Sequence, residues 1–282
     1  MLPYFTHYVA LGDSMSIDLY PALDAGEIDV AVALERDPSA GSVAPLGAAS
    51  LLYQNDDARW PEDQGDDLVT RYAGMTHDNL ATDGATIGDV FGEQLAQLDE
   101  SEAPTLITLS VGGNDLLSAF SNKPRASLLE AIARDVAEAY EFLLDAIRRT
   151  RPTATILLTT IYDPSDRTGR IPGVLVDAGE LPLSVLEGMN ARIRTLAEGT
   201  PGCVLADVYT HFVGHGASVP EAERWYWRRS LVEPNAQGAH EMRRVWREAL
   251  DAADADIGAR SPGCCSPRGE APASAPTSFA RS

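Results

Sequence analysis

Lysine is nearly absent from this chain of 282 residues: Lys123 is the only one, and the formal net charge is −20. A surface this acidic repels phosphate backbones and anionic lipid headgroups. We therefore expect neither a nucleic-acid partner nor docking to a membrane. High solubility, or a habitat of high salt, would explain the charge equally well.

Cysteine and long apolar runs are also scarce. Cys203, Cys264 and Cys265 have no metal-ligand spacing, so the sequence predicts no disulfide framework, no zinc site and no cofactor. No stretch approaches the roughly 20 apolar residues of a membrane span. The first residues lack the basic segment of a signal peptide, so a cytoplasmic location is expected. No protein partner is evident.

The sequence does contain an alternation of apolar runs and amphipathic segments. Candidate strands cover residues 7–12, 70–75, 105–111, 155–162 and 203–209. Most are short and almost continuously apolar, as is typical of strands covered on both faces. Their alternation with helices predicts an α/β fold, a three-layer α/β/α sandwich around a parallel sheet.

Three longer helices are predicted over residues 123–150, 184–199 and 234–250. In the first, apolar side chains recur every 3.6 residues and form one stripe. In the second, Ser184 and Glu187 form a candidate capping box, and Gly199 is a typical end.

These elements predict a single domain over residues 1–257. Residues 24–46 interrupt the first crossover and are interpreted as an insertion, either a hairpin or a lid. Residues 258–282 are rich in Pro, Ser and Gly and have too little apolar content to pack, which predicts a disordered tail.

Candidate functional residues follow the first three predicted strands. Ser14 follows the first, Gly84 lies in the segment after the second, and Asn114 follows the third. Ligands of parallel sheets bind beyond the carboxyl ends of the strands, and a hydroxyl, a glycine amide and a carboxamide are donors suited to an oxyanion hole. Taken singly, they are also explained as a helix N-cap, a turn residue and a loop stabiliser.

Three blocks of sequence together resemble the GDSL/SGNH hydrolase family: Gly12-Asp13-Ser14, Asn79 to Thr86 with Gly84, and Gly112-Gly113-Asn114-Asp115. The resemblance covers roughly residues 4–250. It implies a flavodoxin-like sheet and serine hydrolysis of a small acyl ester. By position, Ser14 would be the nucleophile. The Ser14 amide, the Gly84 amide and the Asn114 side chain would form the oxyanion hole.

The last block of the family, Asp-x-x-His before a proline, is altered. Ser230 stands at the place of the acid and Glu233 at the place of the histidine. His215 lies between two glycines whose backbone freedom could bring its ring to Ser14. Glu233 could itself be the base if burial raises its pKa, could orient His215, or could only stabilise the start of the last helix.

Two functions remain open at the level of sequence. The three blocks favour a serine hydrolase that cleaves an ester through an acyl-serine intermediate. The altered last block favours a ligand-binding or regulatory protein that has kept the fold and the pocket but has lost turnover.

Overall fold

The computed structural model describes residues 2–28, 43–121, 126–173 and 180–260. A sheet of five parallel strands lies at its centre, in the order β2-β1-β3-β4-β5. The strands are β1 (His7–Gly12), β2 (Thr76–Asn79), β3 (Thr105–Ser110), β4 (Thr155–Thr159) and β5 (Cys203–Ala206). An antiparallel ribbon follows, formed by β6 (Tyr226–Trp227) and β7 (Ser230–Pro234). The strand order is that of the flavodoxin-like fold.

Nine helices are present in the described part of the chain. They are α1 (Leu19–Asp24), α2 (Ala48–Tyr53), α3 (Leu68–Arg71), α4 (Ile87–Asp89), α5 (Gly113–Ser121), α6 (Ala126–Thr150), α7 (Leu183–Gly199), α8 (Val208–Phe212) and α9 (Ala236–Arg260). A π-helical turn, Val90–Gln94, continues α4. In these described ranges no helix is both long enough and apolar enough to cross a membrane.

The helices cover both faces of the sheet. Side chains of successive strand residues point to opposite faces, so β1 contributes Val9 and Leu11 to one core and Tyr8 and Ala10 to the other. The first core includes the apolar stripes of α6 and α7, and the second includes those of α2 and α9. The predicted α/β/α sandwich with a parallel sheet is therefore confirmed.

The second strand was predicted in the wrong place. Residues 70–75 contain the end of α3 and a loop, whereas β2 has the polar sequence Thr-His-Asp-Asn. Since β2 lies at the edge of the sheet, alternate side chains reach solvent, and a search for apolar runs passes over it. The predicted capping box is also wrong, because Pro182 is the N-cap of α7 and no side chain caps it.

Two predicted segments fall largely outside the described residues. Residues 29–42 of the predicted insertion and residues 261–282 of the predicted tail are among them. Helix α9 extends to Arg260, ten residues beyond the predicted end of the last helix.

A buried ionic cluster joins the segment after α2 to the first turns of α9. Asp63 Oδ2 lies 2.5 Å from His240 Nε2 and 2.8 Å from Arg243 Nη1, and the His240 ring stacks on Trp60. Glu62, Asp63 and His240 offer the only group of three potential metal ligands within the described ranges. The Arg243 guanidinium already supplies a positive charge to the central carboxylate, so we interpret the cluster as structural.

Replacing Asp63 by asparagine should lower the free energy of unfolding by about 3 kcal/mol, because it leaves the buried Arg243 guanidinium without a counter-charge. The free energy of unfolding in urea at pH 7 measures the effect. The matched control is Glu62→Gln at the adjacent exposed position. Equal stability of the two variants would show that the cluster contributes little.

Candidate active site

Ser14 lies in a tight turn at the carboxyl end of β1. Gly12 has φ +140°, and a Cβ there would lie 2.0 Å from the Ser110 carbonyl oxygen, so the backbone approaches β3 in a way that only glycine allows. The turn is closed by the Asp13 amide, which donates to the Ser110 carbonyl at 3.0 Å, and by the Ser16 amide, which donates to the Asp13 carbonyl at 3.1 Å. These hydrogen bonds hold Ser14 in place, where it forms part of the lining of a cleft.

The alternative interpretation of Ser14, as the N-cap of a helix, is wrong. Residues 14–16 form a turn, α1 begins only at Leu19, and its N-cap position is Asp18. Ser14 therefore caps no helix. Since no helix begins directly after Ser14, a helix dipole contributes nothing at this position.

Asn114 lies in α5 and Gly84 in the loop after β2, both beside this turn. Asn114 is the second residue of α5, and its Nδ2 donates to the carbonyl of Ala85, the residue after Gly84, at 3.0 Å. A carboxamide nitrogen carries two hydrogens, so this bond orients the Asn114 side chain and leaves one hydrogen for a ligand. Ser14 and Asn114 both line the cleft.

Two backbone amides near the cleft are available as donors. In the part of the chain that the structure describes, neither the Ser14 nor the Gly84 amide donates a backbone hydrogen bond. Gly84 has φ +72°, a conformation that favours glycine. The Ser14 and Gly84 amides are therefore left without backbone acceptors among the described residues.

Glu233 faces Ser14 across the cleft. The residue is only 9% exposed, and burial raises the pKa of its carboxyl group from 4.5 to about 7, although a hydrogen bond with the Ser14 side chain acts to lower it. The negative charge of Asp83 raises it further. Glu233 Oε2 is buried and has no hydrogen-bond partner among the described residues. This carboxyl group can therefore exchange a proton near neutral pH.

Asp13 is a second buried carboxyl group at the same place. Burial raises its pKa to about 8, the hydrogen bond from the Met15 amide acts to lower it, and the charges of Glu233 and Asp115 raise it further. Asp13 Oδ1 accepts the Met15 amide at 3.1 Å, which shapes the turn that carries Ser14. Burial therefore raises the pKa of both carboxyl groups at this place.

The rest of the cleft wall is predominantly apolar. It encloses about 700 Å³, part of it open to solvent. Its apolar side chains come from α5, the loop after β4, α7 and β7, and include Leu117, Phe120, Ile161, Leu183, Leu186 and Val232. Its carboxyl side chains are Asp13, Asp163 and Glu233, and no lysine or arginine lies among the described lining residues.

His215 lies in a different depression of the surface. Its Nδ1 donates to the Glu223 carbonyl at 3.1 Å, and its ring stacks on Trp225 with 3.6 Å between centroids. That depression is also lined by Asp24 and Arg228, not by Ser14. The structure does not bring His215 together with Ser14, contrary to one of the alternatives left open by the sequence.

None of the five histidines, all of which are described, lines the cleft that contains Ser14. Each of the other four has partners elsewhere: His7 pairs with Asp78, His77 stacks on Tyr8 and Tyr53, His211 pairs with Glu241, and His240 pairs with Asp63. Of the two candidate bases, Glu233 and His215, only Glu233 lines the same cleft as Ser14.

Sequence reasoning missed the aliphatic wall and the polar residue behind the turn, Gln94. No helix was predicted over residues 113–121, and no apolar stripe was assigned to the predicted helix over residues 184–199. Gln94 is a single amide in a mixed segment, and no local pattern distinguishes it.

Comparison with known structures shows the fold. A phospholipase A1 from Streptomyces albidoflavus is 18% identical with a TM-score of 0.56, and the alignment covers 88% of this chain and 99% of that one. A lipase from a goat rumen metagenome is 19% identical with a TM-score of 0.54, covering 86% and 96%. A member of the lipolytic G-D-S-L family from Veillonella parvula is 13% identical with a TM-score of 0.52, covering 87% and 98%. No curated protein matches in sequence.

The sequence itself matches a known family over most of its length. Residues 40–257 match the GDSL-like lipase/acylhydrolase family. The matched range begins after Ser14 and includes Gly84, Asn114 and Glu233. The chain therefore belongs to the GDSL-like lipase/acylhydrolase family.

Proposed function

We propose that this protein is an esterase that transfers the acyl group of a small, neutral, apolar ester to Ser14 and then to water. One observation carries the proposal: the Ser14 hydroxyl meets a buried carboxyl group, Glu233, whose pKa is raised to about 7 by burial. Serine becomes nucleophilic when a nearby base takes its proton, and a base with a pKa near the working pH does this best.

In the proposed reaction, Glu233 shuttles one proton. Its carboxylate takes the proton of Ser14 as Oγ bonds to the ester carbon, and the new oxyanion accepts hydrogen bonds from the Ser14 amide, the Gly84 amide and Asn114 Nδ2. The tetrahedral intermediate breaks its bond to the alcohol oxygen, which receives the proton from Glu233. Water then repeats the steps on the acyl-serine, releasing a carboxylic acid and restoring Ser14.

The lining of the cleft supports the substrate class. The apolar side chains of α5, α7 and β7 favour an aliphatic acyl group, since burial stabilises each methylene by about 0.8 kcal/mol. The carboxyl groups of the cleft, without a basic side chain among the described lining residues, disfavour an anionic ester. We also propose a cytoplasmic location and no nucleic-acid, membrane or protein partner, from the sequence alone.

A second candidate is ligand binding without turnover. It is favoured by the lack of an imidazole among the described residues of the cleft, since a carboxylate is a weaker base. Such a protein would bind an apolar carbonyl compound in the same place and leave it unchanged.

Labelling of the wild-type protein separates the two candidates. With p-nitrophenyl butyrate, the esterase should give a burst or steady release of nitrophenol. A fluorophosphonate should add one phosphonyl group, which peptide mass spectrometry should place on Ser14. If no p-nitrophenyl ester gave product release and Ser14 were not labelled, the esterase proposal would be wrong.

The contribution of the apolar wall is tested by replacing Leu186 with alanine. We expect kcat/KM to fall about tenfold for p-nitrophenyl octanoate and less than twofold for the acetate, because only the longer chain reaches this wall. Leu128→Ala, a leucine that is 51% exposed on α6, is the control. An equal loss on both esters would mean that Leu186 does not contact the acyl chain.

A further inference from the structure

A buried glutamine stands behind the turn that carries Ser14. Gln94 ends the π-helical turn after α4, is 1% exposed and does not line the cleft. Its Oε1 accepts the Gly12 amide at 2.9 Å, and its Nε2 donates to the Gly12 carbonyl at 2.7 Å. One side chain thus takes both backbone groups of a single residue, as a neighbouring strand does.

These two hydrogen bonds take the place of those that a neighbouring strand would make, at a point where β2 has already ended. The register of β1 with β2 runs only to the pair Ala10 and Asn79, so Gly12 has no β2 residue opposite it. On its other side Gly12 pairs with Ser110 of β3. The Gln94 amide therefore completes the pairing of Gly12 on the open side, two residues before Ser14.

The same amide also reaches the loop that carries Gly84. Gln94 Nε2 donates to Thr82 Oγ1 at 3.1 Å, and the Thr82 amide donates to the Gly12 carbonyl at 3.1 Å. Gln94, Gly12 and Thr82 form a closed set of hydrogen bonds. This set fixes the loop of Gly84 against the turn of Ser14, and these two loops carry the backbone amides assigned to the oxyanion hole.

We propose that Gln94 is a positioning residue for hydrolysis, which sets the distance between the Ser14 and Gly84 amides without touching substrate. This inference rests on the proposed function of the cleft. Oxyanion donors act only when they are aimed at the place where charge develops, and a shift of about 1 Å costs on the order of 100-fold in rate. Substrate binding in the apolar wall does not depend on this distance.

The test compares Gln94→Met and Gln94→Glu with Gln97→Glu, an exposed glutamine three residues further along the chain. We expect both Gln94 variants to lower kcat for p-nitrophenyl butyrate about 100-fold with KM within about twofold, and to weaken inhibition by phenylboronic acid, which forms a tetrahedral adduct. The Gln97 variant should match wild type. Far-UV circular dichroism and melting temperature identify the variants that are folded at the assay temperature.

Gln94→Glu provides a rescue experiment that a purely structural role would not explain. When protonated, its carboxyl group can still accept the Gly12 amide and donate to the Gly12 carbonyl; when ionised, it repels that carbonyl. The ratio of its kcat to the wild-type kcat should therefore rise as the pH falls. A folded Gln94 variant with wild-type kcat, or a loss confined to KM, would overturn the proposal. If wild type itself shows no turnover, the proposed function has failed instead.

Discussion

Replacing Ser14 by alanine is expected to lower kcat for p-nitrophenyl butyrate more than about 1,000-fold and to abolish fluorophosphonate labelling. Ser14 is the only serine, threonine or cysteine among the described residues that line the cleft, and without the covalent step catalysis is left with the oxyanion donors alone. Steady-state kinetics at pH 8 and mass spectrometry of labelled protein measure the two effects. The melting temperature should stay close to that of wild type, since the change removes a single oxygen atom from the lining of the cleft.

The matched control for this experiment is Ser101→Ala. Ser101 precedes the amino end of β3, whereas Ser14 follows the carboxyl end of β1. The Ser101 hydroxyl accepts the Ala103 amide, so its removal should leave kcat and labelling unchanged. Full activity of folded Ser14→Ala would exclude an acyl-serine at this residue. An inactive wild type in which Ser14→Ala barely changes the affinity for an apolar ligand would favour the binding protein.

The fold could be predicted because its signals are local and repeated. Apolar runs that are buried on both faces gave β1, β3 and β4, and the apolar stripe over residues 128–147 gave α6. The edge strand β2 was displaced by several residues because half of its side chains face solvent and its sequence is polar. An apolar run therefore indicates that a segment is buried, not that it forms a strand.

The candidate site could be predicted only in part. Ser14 and Asn114 come soon after β1 and β3, and a parallel sheet brings the carboxyl ends of its strands together at one end of the sheet. Which of His215 and Glu233 lies near Ser14 depends on the loop that carries His215 and on the ribbon of β6 and β7. No periodicity in the sequence predicts the position of either segment. The raised pKa of Glu233 comes mainly from burial by side chains distant in sequence, and a sequence pattern does not report such an environment.

Glu233→Gln is expected to lower kcat/KM about 1,000-fold at pH 8, within the range of a lost general base. The amide keeps the size of the side chain but cannot take the Ser14 proton. Wild-type kcat/KM should rise with pH and level off above an apparent pKa of about 7, because only the ionised carboxyl group is a base. The kcat/KM of the variant should show no such rise with pH. Glu198→Gln, exposed at the far end of α7, is the control and should keep the wild-type profile.

The stability of the same variant separates a lost base from a damaged fold. The pKa of Glu233 is higher in the folded protein than its ordinary 4.5, so protonation favours the folded state, and this stability is lost as the pH rises from about 4.5 through about 7. Removing the charge should therefore make Glu233→Gln more stable than wild type at pH 9, by up to about 3 kcal/mol, with little difference at pH 4. A variant that is inactive yet more stable at high pH is what a buried catalytic carboxylate predicts. A variant with wild-type kcat and an unchanged pH profile would leave Glu233 only a structural role at the start of α9.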